Sequence, residues 1–369
     1  MVKIKVMLPY YNDLTVLLST VFRSLDFDID YMGRPTKKTI ELATNNSPEI
    51  WCFDTKLWLG QLLEGHKRGN DLLVMPGAWG GKNENCILGY LTKGVMKKRL
   101  ESIVSKKINL WVFNINCIEL FYSGYSSIIK DIKTLKPYYD KKGFYRKAIG
   151  GLHLGVKKMK LAHQFKEQMF TFFDVEDKKA LFKIYDDFTE QMIFNADTIT
   201  DARKICKTLL GKMNALKRKK TKKKIKIGVV GDFCYTLFSA FPIFNLEHFL
   251  IQQEILISQP VSFYNFFNVL SPLYSSKNRK EVRKIFPQGV TGSDAMTLLS
   301  SNYLKDKVDG IIHVGTFSCT PEEIAMEVLL SHKEMFPPML NLSYDSHTTE
   351  ENMKVRVEAF IDMIKSRRK

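Results

Sequence analysis

Cys52 in SPEIWCFDTK, Cys86 in GKNENCILGY and Cys319 in GTFSCTPEE share one setting. Each follows an extended or turn-like stretch and stands where an amphipathic helix should begin. A helix N-terminus offers unbonded backbone N–H groups and a partial positive charge. Both lower a thiol's pKa and stabilise an anionic ligand or cluster. Three thiolates in equivalent positions, far apart in sequence, predict that the fold gathers them around one metal centre. No histidine pairs with them, so an iron–sulfur group suits the set better than zinc. The alternative for each is a small buried hydrophobe.

The remaining cysteines read differently. Cys206 lies on an apolar helix face and is expected to fill core. Cys117 ends a strand and Cys234 follows Gly231-Asp232-Phe233 at another, so each is either a further ligand or a packed thiol near the site. No CxxC pair exists, which argues against a structural zinc ribbon. His313 sits inside a strand, where a satisfied core histidine competes with a functional one. Asp345-Ser346-His347 ends the last strand, as a partner for a bound group or as a turn before the final helix. Glu322 and Glu323 fit the acidic first turn of a helix and are expected to cap it. Lys56, His313, Asp345 and His347 are the candidates for proton delivery or for hydrogen bonds to a bound group. Nucleotide motifs are missing: GVVGDF (228–233) is not GxGxxG, and GAWGGKNEN (77–85) fails the P-loop spacing. If ATP energy is used, another chain supplies it.

The elements that must position these residues alternate between apolar strands and helical patterns, the signature of α/β domains with parallel sheets. Strands are expected at 3–10, near 27–32, at 71–77 and at 109–116, with helices between them, including 54–68 and 87–104. From 125 to 216 the strand signal gives way to helical spacing: Leu161, Phe165, Met169 and Phe172; Leu181, Ile184, Tyr185, Phe188 and Met192; Ile205, Cys206, Leu209, Leu210 and Met213. Strands return at 225–232, 309–317 and 337–345, and a helix closes the chain over 350–367. The expected architecture is therefore two Rossmann-like, doubly wound parallel-sheet domains. They occupy 1–124 and 225–369, joined by a helical insert over 125–216 and a basic linker over 217–224. Sites on such sheets gather beyond the carboxyl ends of the strands, where Cys86 and Cys319 fall, so the cluster is expected in the interdomain cleft.

The 369 residues carry a formal charge of +17. Seven of those charges fall within Lys217–Lys224, and without them about +10 remains. No aromatic residue interleaves that run, so a solvated linker is favoured over a nucleic-acid patch. No apolar run is long enough for a membrane span. The N-terminus enters a strand pattern directly, without a signal peptide's layout, and the cysteines are not a secretory disulfide framework. A cytoplasmic location is expected.

Two segments carry a resemblance. PTKKTIELATNNSPEIWCFDTKLWLGQLLEGHKRGNDLLVMPG resembles the N-terminal half of the 2-hydroxyacyl-CoA dehydratase component family. It is most similar to the group of CoA-protein activases and dehydratase-like iron–sulfur proteins. KIKIGVVGDF, the Gly292-Ser293 segment and DGIIHVGTFSCTPEEIA through LNLSYDSHTTEENMKVRVEAFIDMI resemble its C-terminal half. The resemblance covers about 1–100 and 224–369, and the CxPExIA segment with the D-x-H-T…R-x-E-A-F tail is specific in combination. It implies that Cys52, Cys86 and Cys319 hold a [4Fe–4S] cluster with one iron open, or a double-cubane [8Fe–9S] cluster shared in a dimer. It implies also a homo- or heterodimer and a partner ATPase of actin-like fold that delivers low-potential electrons. The chemistry implied is radical dehydration of an acyl-CoA or reduction of a small molecule; a carrier or accessory subunit, or a cluster-free binding module, is the alternative. Three departures stand out. The family's C-x-P-x-K is Cys52-Phe53-Asp54-Thr55-Lys56 here, with Asp for Pro. Gly-Pro-Cys-Arg has become Glu84-Asn85-Cys86-Ile87, without the arginine. Thr348-Thr349-Glu350-Glu351-Asn352 stands where a glycine is usual. Loss of the arginine should make cluster reduction harder, since each electron adds negative charge to a partly desolvated centre.

Overall fold

The computed structural model describes residues 3–77, 94–113, 126–139, 141–219, 224–236, 244–267, 273, 275–287 and 293–367. Cys86 with its neighbours Glu84, Asn85 and Ile87, Cys117, Gly292, residues 87–93 of the expected helix and 220–223 of the basic run lie outside them.

The N-terminal half contains β1 (Lys5–Pro9), α1 (Asp13–Ser24), β2 (Asp28–Gly33), α2 (Lys37–Asn46), α3 (Phe53–Lys67), β3 (Leu73–Pro76), α4 (Met96–Val104) and β4 (Leu110–Phe113). β1 pairs with β2 and β3 with β4, both parallel. A parallel bridge between Val6 and Leu72 joins the two pairs, with Met7 N–H donating to Leu72 O at 2.9 Å. β2 alternates polar and apolar residues and is only partly covered, but β1 and β3 are short apolar runs in which Val6, Met7, Leu8 and Val74 are fully excluded from solvent. Such runs are what a sheet covered on both faces requires.

The middle of the chain is helical, as its periodicity predicts: α5 (Ser126–Lys133), α6 (Phe144–Phe170), α7 (Lys178–Phe194) and α8 (Ile199–Asn214). α6 packs along α1, and two glycines permit the approach. A Cβ on Gly151 would lie 2.2 Å from Ser24 Oγ, and one on Gly155 would lie 3.1 Å from Leu17 O. Phe165 of α6 stacks on Phe188 of α7 at 3.8 Å and 2°. The expected apolar face of α8 is buried at Cys206, Leu209 and Met213, and burial pushes the Cys206 thiol up to about 11. α6, α7 and α8 share one hydrophobic core with Ile227, Val229, Ile312 and Val314 of the C-terminal half.

Lys158 of α6 is fully buried and donates from Nζ to Ala196 O at 2.9 Å. Burial, then the nearby Arg23, bring its pKa down to about 7. The unfolded chain therefore holds more protons than the fold between pH 7 and about 10, so this group makes stability rise with pH there. Wild type should gain up to about 1.4 kcal/mol per pH unit above pH 7 relative to Lys158→Met. Urea midpoints at pH 7, 8 and 9 check this; parallel curves for the two proteins would refute it.

The start of the basic run is exposed, as a solvated linker should be, and is also tied down by ion pairs. Arg218 pairs with Asp174 at 2.6 Å, lies 4.9 Å from the Phe172 ring centroid and bridges Val175 in antiparallel fashion, while Lys219 pairs with Glu254. The acidic turn between α6 and α7 supplies partners that charge counting along the chain does not reveal.

The C-terminal half contains β5 (Lys226–Gly231), a short helix Phe233–Thr236, α9 (Leu246–Gln252), β6 (Leu256–Ser258), a short helix Phe263–Phe267, α10 (Ser276–Ile285), α11 (Ser293–Leu304), β7 (Gly310–Thr316), α12 (Thr320–Ser331), β8 (Met339–Tyr344) and α13 (Glu350–Arg367). Its sheet is parallel with order β6-β5-β7-β8. The chain is thus a mixed α/β fold with small parallel sheets. No helix among the described residues is long and apolar enough to cross a membrane.

Candidate functional site

Two of the three key cysteines stand where their sequence setting puts them. Cys52 is the N-cap of α3 and Cys319 the N-cap of α12. The start of α3 meets the C-terminal sheet at a seam, because Asp54 in its first turn reaches the carboxyl ends of the C-terminal strands. Its Oδ1 accepts from the Tyr344 hydroxyl at the end of β8 (2.9 Å), and its Oδ2 accepts from the Thr316 hydroxyl at the end of β7. The Phe53 ring meets Tyr344 edge-on at 5.9 Å. Asp54 therefore ties the first turn of α3 to the carboxyl ends of β7 and β8.

A second carboxyl group shares those partners. Asp232, just past β5, accepts N–H bonds from Thr316 (2.7 Å) and Tyr235 (2.7 Å), and its Oδ2 lies 2.9 Å from Thr316 Oγ1 and 3.3 Å from the Tyr344 hydroxyl. One threonine hydroxyl cannot donate fully to two carboxylates. Burial, then the charges of Asp54 and Glu322, raise the Asp232 pKa well above the ordinary range. Asp54 and Asp232 thus share the same two hydroxyl donors, Thr316 and Tyr344.

Cys319 feels the same acids. Its thiol is pushed well above its ordinary value, first by burial, then by Glu322, Asp232 and Asp54; the N–H of Glu322 pulls the other way and loses. The helix N-terminus alone thus does not make this thiol a thiolate. Cys52 Sγ lies 3.0 Å from Thr55 Oγ1.

Glu322 departs from the capping role its position suggests. It is buried at 2% exposure, accepts from the Thr297 hydroxyl at 2.8 Å and meets His313 Nε2 at 2.9 Å. Its other oxygen, Oε1, is buried with no partner. Nδ1 of His313 meets Asn341 Oδ1 at 2.9 Å, so both ring nitrogens are engaged. Asp294, on α11, is pushed up to about 7 by burial, with Glu322 adding to the rise. Glu323 remains exposed in the helix's first turn. This buried acid–imidazole chain was not legible in sequence, because an acid after Thr-Pro at a helix start reads as a cap.

The other sequence candidates occupy the same edge. Asp345 Oδ1 accepts from His347 N–H and from the Thr348 hydroxyl, both at 2.9 Å, and so shapes the turn after β8. His347 is exposed in that turn, and Lys56 is buried in α3. Cys234 lies on the short helix after β5. Among the described residues no group of three or more His, Cys, Asp or Glu side chains is arranged to hold a metal ion; Cys86 and Cys117 lie outside those residues.

No family model matches the chain, and no curated protein matches it. The site therefore has to be judged on its own chemistry. Two sulfur donors come to one seam from opposite halves of the chain. Beside one of them an acidic oxygen, Glu322 Oε1, is buried without compensation. Soft thiolates suit iron–sulfur ligation, but a thiolate-ligated cluster is itself anionic and does not compensate the buried Glu322 Oε1. Among the described residues the donor set is two thiols in an acid-rich setting, which does not by itself make a cluster site.

Proposed function

We propose that this chain is an iron–sulfur protein of the 2-hydroxyacyl-CoA dehydratase-like kind. Its two parallel sheets are the cores of two Rossmann-like units, with the group held at the seam between them. The observation that carries the reading is the Asp54–Thr316–Tyr344 junction, which sets two N-capping cysteines from opposite halves along one seam. Cys52 and Cys319 would hold the group, with Cys86 as third ligand. The cluster is [4Fe–4S], or a double-cubane shared in a dimer, and when bound it supplies low-potential one-electron chemistry.

The chain's own residues have separate tasks. Asp54, Thr316 and Tyr344 set the separation of the two helix N-termini, and Thr55 orients the Cys52 sulfur. His313 and Glu322 hold a proton between Nε2 and Oε2, close to Cys319, while Lys56, Asp345 and His347 line the same edge as further proton donors or acceptors. The acids beside Cys319 oppose added negative charge, so reduction requires a strong donor. An ATP-dependent activator of actin-like fold meets that requirement. The substrate is an acyl-CoA or a small reducible molecule, acted on in the cytoplasm.

Protein purified anaerobically should be brown, with about four iron and four sulfide per chain. Cys52→Ala and Cys319→Ala should each lose most of that iron, and Cys206→Ala should keep it. Colourless wild-type protein without iron or acid-labile sulfide would leave a cluster-free binding module. Full iron with electron passage to a partner, but no turnover of any acyl-CoA, would make the chain a carrier.

A further inference from the structure

β6 is the outer strand of the C-terminal sheet and pairs only with β5 among the described residues. Leu256 N–H donates to Ile225 O at 3.0 Å, which turns the main-chain groups of Leu256 and Ser258 toward β5. Strand geometry then points the N–H and C=O of Ile257 the other way. Among the described residues no strand pairs with that outward edge, yet Ile257 is only 4% exposed. Buried main-chain groups are costly to leave unpaired.

They face a cavity of about 530 Å³ between β6 and the last turns of α6. The next outward position along the chain, Gln259, is 8% exposed and also lines it, and its carboxamide Nε2 is buried with no partner. One wall is aromatic: the His163 ring lies 5.4 Å from that of Tyr264 at 31°, and burial, then Lys166, hold His163 neutral with a pKa near 4. Tyr264 is fixed from behind, because Asp13 of α1 accepts its N–H at 3.0 Å and that of Phe263 at 3.3 Å. Lys160, exposed, and Lys226, half-buried, add positive charge to the lining, and Glu167, whose Oε1 lies 3.4 Å from His163 Nε2, adds one carboxyl group.

We propose that this cavity binds a nucleoside monophosphate. The donor and acceptor of Ile257, with the Gln259 amide, read one edge of the base. The ring lies against the His163–Tyr264 wall, and Lys160 and Lys226 take the phosphate in place of a glycine-rich loop. A base offers adjacent donors and acceptors on one edge, which matches a single outward residue. An extended peptide added as a strand needs several alternating outward residues; β6 is three residues long and Pro260 closes it. The volume lies within the range of small-molecule sites.

The test is calorimetric titration of the full chain with AMP, GMP, CMP and UMP, alongside adenosine, ribose 5-phosphate and inorganic phosphate. At least one nucleotide should bind, and at least about tenfold more tightly than ribose 5-phosphate, the value of one well-made hydrogen bond. Gln164→Trp, at an exposed position of the lining, should weaken binding at least about tenfold by filling the cavity. Lys160→Glu/Lys226→Glu should weaken nucleotide about tenfold while leaving the nucleoside within about threefold. Circular dichroism and the urea midpoint confirm that each variant folds. No binding of any nucleotide at millimolar concentration, equal binding of ribose 5-phosphate, or unchanged affinity in folded Gln164→Trp would each overturn the proposal. None of these outcomes depends on iron at the seam.

Discussion

Gly231→Ala should cost more than about 4 kcal/mol of stability, enough to leave little folded protein. Gly231 has φ +143°, a conformation that L side chains rarely adopt, and an added Cβ would lie 1.9 Å from Val314 O. That oxygen belongs to the neighbouring strand, paired with Gly231 in register, and it accepts the Asp232 N–H at 3.0 Å. Nothing flexible can give way, so the β5–β7 ladder must open at its carboxyl end. The same movement would carry Asp232 away from Thr316. Gly69→Ala is the matched control: its φ is +74° and no atom lies within 4 Å of the added Cβ. It should cost only about 1–2 kcal/mol, the conformational term alone. Urea denaturation of the two variants decides the matter, and equal midpoints would show that the close approach to Val314 carries no weight.

How much of this was readable in the chain depends on how local each cause is. DLLVMPG and DGIIHVGTF announce strands because a sheet covered on both faces demands unbroken apolar runs. PPMLNLSYD does so by alternation, with Asn341 and Ser343 exposed beside buried Leu342 and Tyr344. β6 escapes the same reading: its three residues follow α9 within EILISQP, too short to break from a helical pattern. The helix starts at Cys52 and Cys319 were legible from turn residues and acidic first turns, which act within a few positions. The seam was not, since Asp54 meets Thr316 across 262 residues of sequence. In the chain Asp54 is only an acid two residues after a cysteine; in the fold it is a carboxylate with two hydroxyl donors. Glu322 shows the converse limit. Its local setting is a good cap, and tertiary packing instead buries it between Thr297 and His313.

Asp232→Ala should destabilise the protein by about 3 kcal/mol, and the loss should be strongly coupled to Asp54. The substitution strips the acceptor from two buried N–H groups, of Thr316 and Tyr235, each costing about 1–3 kcal/mol when unpaired. Part of that returns, because a second buried acid no longer crowds Asp54 and Glu322. Asp54→Ala removes the acceptor of Tyr344 and Thr316, but Asp232 already lies 3.3 Å and 2.9 Å from the same hydroxyls and can take them over. That single change should therefore cost less, about 1–2 kcal/mol. In the double variant neither acid remains to receive either hydroxyl, so the combined loss should exceed the sum of the singles by about 1–2 kcal/mol. A urea double-mutant cycle measures this term directly. Additive losses would mean that the two acids act independently and that the shared hydroxyls do not join the halves. A positive coupling, with Phe233–Thr236 and α3 intact by hydrogen exchange, would place the energetic joint of the molecule at the seam where Cys52 and Cys319 stand.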